Sequence, residues 1–74
     1  MQGKTLSFLI YEHRVNYGLS ERDFAKKAKI SADAVRRLRN AEITNPRVKT
    51  MKKLSDCLGV SVAEIWKALR REVS

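Results

Sequence analysis

Two helix-start signals standing close together constrain this chain more than any other feature. Ser20 is followed at the third residue by Asp23, a pairing in which hydroxyl and carboxylate satisfy the orphan N–H groups of a helix start. Ser31 is a second good cap, with Asp33 in the first turn where the helix dipole favours negative charge. The helix opened at Ser20 must therefore end near Ala28, leaving Lys29 and Ile30 as the turn. Two helices joined by a connection of about three residues cross at a steep angle. They pack together only if apolar residues stand at the crossing. Phe24, Ala28, Ile30, Val35 and Leu38 supply them, with the small Ala25 where the second helix comes closest.

The flanking sequence is helical as well. Leu6, Leu9, Ile10, His13 and Tyr17 fall at helical spacing and Gly18 follows as a left-handed stop, which predicts a helix over about 5–17. The pair around the turn is expected over 20–28 and 31–39. Residues 40–44 show no apolar period and read as a loop. Asn45 and Pro46 offer a cap and a first-turn proline, so a fourth helix is expected over 46–58 with Val48, Met51, Leu54, Cys57 and Leu58 as its apolar stripe and Gly59 as its stop. Ser61 and Glu64 repeat the capping pattern and open a fifth helix over 61–70, buried through Val62, Ile65, Trp66 and Leu69, with a frayed tail after Arg70. No alternating strand pattern occurs. The expectation is an all-α bundle of five short helices, one domain over residues 1–74.

Size and charge narrow the function. A chain of 74 residues buries only about 60% of the surface it exposes unfolded, too little for a deep catalytic cavity. One cysteine makes no internal disulfide, which points to a reducing cytoplasm. The longest apolar run, Phe8 to Tyr11, is far below the roughly 20 residues of a membrane span, so neither insertion nor export is expected. With 43% apolar and 32% charged residues the chain should fold despite a net charge of +8. Residues 22–53 hold eleven cations against three anions, and the remaining five of each sign cancel. Such concentration suits a footprint on nucleic acid, although a solvated basic face would look the same.

Residues 14–66, including YGLSERDFAKKAKISADAVRRLRNAE and NPRVKTMKKLSDCLGVSVAEIW, resemble the DNA-binding domain of the lambdoid phage repressor and Cro (XRE-type) family, most specifically in LSDCLGVSVAEIW. The resemblance implies a five-helix bundle with a helix-turn-helix in helices two and three. It further implies binding of duplex DNA, usually as a dimer on a palindrome, commonly to repress transcription in a bacterium or phage. Three positions depart from the family pattern. Lys29 stands where relatives often have glycine, which lysine tolerates if the backbone is not left-handed. Arg39 replaces a glutamate that would pair with Arg14, so the usual ion pair cannot form, and the two cations should face solvent, Glu42, Glu12 or phosphate, with Arg39 turned toward DNA. Glu21 replaces a phosphate-binding glutamine and would leave only backbone N–H groups there.

With Val35 and Leu38 facing the bundle, the opposite side of helix three presents Asp33, Arg36, Arg37 and Asn40, flanked by Ala32 and Arg39. Entering the major groove N-terminus first, Ala32, Asp33, Arg36 and Arg37 would reach base edges. Arginine pairs with guanine O6 and N7, aspartate accepts from a cytosine amino group, and alanine touches a thymine methyl, which predicts a half-site containing G and C. Asp33 has a second reading, an intrahelical pair with Arg36 or Arg37. The resemblance places Ser31, Asn40, Thr44, Asn45 and Arg47 at phosphates or the groove edge, with Arg39 and Lys29 joining that positioning set. Ser31 and Asn45 are helix caps in either case. Lys26 and Lys27 read as general electrostatics, and Lys49, Lys52 and Lys53 as solvated or flanking charges.

Other chemistry is not encouraged. His13 and Cys57 are single and far apart in sequence, and no Ser/His/Asp arrangement or phosphate loop occurs, so no metal, cofactor, small-molecule substrate or catalysis is expected. Cys57 reads as a small core hydrophobe. Trp66 is either core or, with helix five and the tail, part of a homodimer interface. The alternative to DNA binding is an antitoxin or adaptor using the same fold for a protein partner, which would want apolar anchors on helix three. RNA binding would want exposed aromatics there.

Overall fold

Thr5 opens α1 (Leu6–Tyr17) by accepting the Phe8 N–H on its hydroxyl at 3.2 Å, and Gly18 closes it at φ 63°, ψ 37°. That left-handed conformation places no Cβ against a carbonyl only because the residue is glycine. The computed structural model describes residues 3–43 and 45–73, and among them the chain forms five helices and no strand. α2 (Glu21–Ala28) and α3 (Ala32–Arg39) follow, then α4 (Val48–Leu58) and α5 (Val62–Val73). α2 packs on α3 and α4, while α1 lies against α3, α4 and α5. The whole measures 28 × 25 × 21 Å.

Each helix contributes its apolar stripe to one core. Leu6 and Ile10 meet Phe24, Ala25 and Ala28 of α2, Val35 and Leu38 of α3, Met51 and Leu54 of α4, and Ile65, Ala68 and Leu69 of α5, all at most 2% exposed. Each large aliphatic or aromatic side chain so buried stabilises the fold by roughly 1.5–3 kcal/mol. Ile30, Cys57, Val62 and Trp66 pack against the edge of this cluster, half-buried.

The structure corrects the expected pattern in three places. Tyr17 leaves the α1 stripe and is 63% exposed; its ring lies under the Lys27 ammonium, with Nζ 3.9 Å from the centroid. α4 begins at Val48 rather than at Pro46, and its N-cap is Arg47, not Asn45. Pro46 is buried in the connection, while Val48 is exposed. A first-turn side chain leans toward the helix N-terminus, which carries Val48 away from the core that Met51 and Leu54 fill. Finally, α5 continues past Arg70 to Val73. Glu72 Oε1 accepts the Ser7 N–H at 2.8 Å and Arg71 donates to the Lys4 carbonyl at 3.2 Å, so the last turn is fastened to the start of α1. A carboxylate at that helix N-terminus is favourably placed in its dipole.

Candidate nucleic-acid interface

The α2–α3 unit is built from local signals. Ser20 Oγ accepts the Asp23 N–H at 3.0 Å and Asp23 Oδ2 accepts the Ser20 N–H at 3.3 Å, closing a reciprocal capping box. α2 stops at Lys29, whose φ of 63° and ψ of 38° are left-handed. The Ile30 N–H then reaches back to the Ala25 carbonyl at 3.0 Å. The angle that the sequence left open is left-handed: the turn keeps the geometry usually given to glycine, at a cost of roughly 1–2 kcal/mol for a residue with a Cβ. Ser31 Oγ accepts the Ala34 N–H at 3.0 Å and starts α3.

On α3, Val35 and Leu38 are fully buried, and Ala32, Asp33, Arg36, Arg37, Arg39 and Asn40 are all exposed. Asp33 Oδ1 binds Arg36 Nη2 at 2.7 Å. Arg36 Nη1 also lies 3.5 Å from Glu42 Oε2, which accepts from Asn40 Nδ2 at 3.4 Å. The Arg36 hydrogen bond, ahead of the smaller attraction of Arg36 and Arg37, lowers the Asp33 pKa below its ordinary value, and the same bond raises that of Arg36. The intrahelical reading of Asp33 is therefore realised in the free protein. Glu42, foreseen as a partner for Arg39 or Arg14, serves Arg36 instead.

Arg14 and Arg39 share a different anion. Glu21 Oε2 lies 2.5 Å from Arg39 Nε and 3.9 Å from Arg14 Nη1. The direct Arg14–Arg39 clash is thus avoided through a residue that the sequence presents only as a repeller of phosphate, and Arg39, although exposed, is paired in the free protein. Nothing in local spacing signals this, because the three residues come from three helices.

The positioning residues fall into separate places. Arg37, Asn45 and Arg47 line one groove of about 330 Å³, together with Ile43, Pro46 and Thr50, which sequence reasoning left out. α4 starts beside that groove without a side-chain acceptor for its first N–H groups. Lys29 instead lines a hollow with Lys27 and Lys53, away from that groove. Ser31 and Asn40 sit at the two ends of α3. Thr44 lies outside the described residues.

His13 lies half-buried where α1 meets α2 and α4. Its Nε2 is 3.2 Å from Lys27 Nζ and 4.0 Å from Cys57 Sγ, and its ring stacks near Tyr17 and edge-on to Phe24. Burial first, and the Lys27 charge second, lower its pKa. Burial likewise raises that of Cys57. Among the described residues no three His, Cys, Asp or Glu side chains converge as a metal site requires, and no helix is long and apolar enough to cross a membrane.

Two comparisons bear on this arrangement. A protein-family model described as helix-turn-helix matches residues 10–65, which runs from the middle of α1 into α5 and contains every element of the site. A search of curated proteins finds no match.

Proposed function

This chain belongs to the helix-turn-helix family of lambda repressor and Cro type, a family of DNA-binding regulators, and on that premise we propose that it binds duplex DNA sequence-specifically and represses transcription in the cytoplasm of a bacterium or in phage infection. The domain over residues 1–74 lays α3 in the major groove. Arg36 and Arg37 read guanine, Asp33 a cytosine amino group and Ala32 a thymine methyl. Ser31, Lys29, Asn40, Asn45 and Arg47, with Thr44, hold the backbone and set the register. One observation carries this reading: α3 turns exposed arginines outward, and Arg37 shares a groove with Arg47 beside the uncapped start of α4. Cations and free N–H groups together are what a phosphate seeks.

A homodimer through α5 fits the same reading. The last turn is engaged with α1 of its own chain, which leaves the shallow face of Ala63, Trp66, Lys67 and Arg70 for a second copy. Selection of tight binders from a randomised duplex pool, repeated at several salt concentrations, tests the proposal. An enriched palindrome with a steep salt slope supports an operator-binding dimer. Weak binding with no enriched sequence defeats it.

A second reading, an adaptor or antitoxin that binds a protein, is favoured by a specific feature. Phe8, Tyr11 and Val15 form an exposed apolar stripe on α1. Failure of the duplex selection makes that stripe the surface to test, by asking whether Tyr11→Lys changes sedimentation or partner binding.

A further inference from the structure

Glu21 occupies the first position of α2 and faces cations from two other helices. Its Oε2 lies 2.5 Å from Arg39 Nε in an ion pair, and Arg14 Nη1 stands 3.9 Å from the same oxygen. The three acidic residues of the motif each have a distinct engagement: Asp23 closes the capping box, Asp33 holds Arg36, and Glu21 holds this pair. Its charge is also felt at Arg36, on the outward face of α3. A carboxylate is thus placed at the edge of a face whose surroundings are strongly cationic.

We propose that Glu21 is a positioning residue that occupies Arg39 in place of a DNA phosphate, so that the start of α2 contributes no phosphate contact and the turn, α3 and α4 set affinity. The inference rests on the DNA-binding reading above and deepens it. Arg14 is held a second time, because its Nε donates to the Leu19 carbonyl at 3.2 Å. Arg39 has no such second tether among the described residues and is 43% exposed at the end of α3. Neutralising Glu21 therefore releases one long cation rather than two, and removes an anion that repels the duplex.

The test compares the unsubstituted chain, Glu21→Gln, and Glu21→Gln combined with Arg39→Gln, on one duplex taken from the selection above, over a range of salt. Each released cation that meets a phosphate steepens the plot of log K against log salt by about 0.9. Glu21→Gln is expected to bind more tightly at low salt with a slope steeper by about that amount, and adding Arg39→Gln is expected to return the slope to its original value. An unchanged slope in Glu21→Gln, or a steeper slope that survives Arg39→Gln, overturns the inference. A measurement on the unsubstituted chain guards against a variant that folds poorly: the Arg39 Nε–H nuclear resonance should not move when duplex is added. A resonance that shifts on DNA binding means that Arg39 leaves Glu21 for phosphate, and overturns the inference. Absence of salt-dependent binding by the unsubstituted chain overturns the proposed function and this inference with it, whereas normal binding with no effect of Glu21→Gln overturns the inference alone.

Discussion

Asp33 and Arg36 hold each other at 2.7 Å on the outward face of α3, so two of the residues placed to read bases are bound to one another before any DNA arrives. The aspartate keeps the guanidinium fork in one orientation, and a fork so oriented matches one base edge better than others. Replacing Asp33 with Ala is expected to loosen selectivity at one position of each half-site while raising affinity for unrelated duplexes. A competition series that varies one base at a time checks this. Selectivity unchanged at every position would show that the pair is only structural.

Arg37 and Arg47 share a groove but are assigned different tasks. Arg37→Ala should cost about 1–3 kcal/mol of discrimination at a single base pair, with other sequences little affected. Arg47→Ala should weaken binding to all sequences alike and lower the salt slope by about one unit. Binding isotherms on the selected duplex and on a scrambled one separate the two. Equal losses on both duplexes for Arg37→Ala would remove it from the reading set.

Lys29 carries a left-handed backbone that glycine adopts without strain. Lys29→Gly is expected to stabilise the fold by about 1 kcal/mol, which for a domain of this size raises Tm by about 4–8 °C. Lys29→Ala keeps the Cβ and should not share the gain. Urea titrations of the three proteins decide the matter, and a Gly variant no more stable than the Ala variant refutes strain at this turn.

His13 makes stability depend on pH. Its pKa lies below the ordinary 6.5 because burial, and then Lys27, disfavour the imidazolium. Between the folded value and 6.5 the unfolded chain binds the extra proton and the folded chain does not, so stability rises with pH across that window and falls as pH drops through it. Thermal melts from pH 7 to 5 should show a falling Tm, and His13→Gln should flatten this part of the curve. Lys27→Gln should flatten it only partly, since burial is the larger cause. A variant with the same slope as the parent would exclude His13 as the titrating group.

Much of this protein was legible in its linear order. Ser20 with Asp23, Ser31, Gly18 and Gly59 act on N–H and carbonyl groups within a few residues of themselves, so the starts of α2 and α3 and the stops of α1 and α4 follow from local chemistry. Phe24, Val35 and Leu38 recur at the helical period and turn the remaining exposed positions of α3 into one outward face by simple geometry. The left-handed Lys29 was hidden, because a lysine carries no sign of the turn that packing imposes on it. So was the start of α4, where burial of Pro46 in the connection outweighed its preference for a first helical turn.

What the amino-acid order determined by itself, then, was the number of helices, the glycine stops of α1 and α4, most of the residues that fill the core and the face that carries the arginines, because each depends on interactions of short range. Only the tertiary structure decided the partners of the charges. Glu21, Arg14 and Arg39 are distant along the chain and meet because α1, α2 and α3 share one core, and Glu72 caps α1 because α5 returns to it. Ion pairs of this kind follow from where helices are brought together, and no periodicity records that.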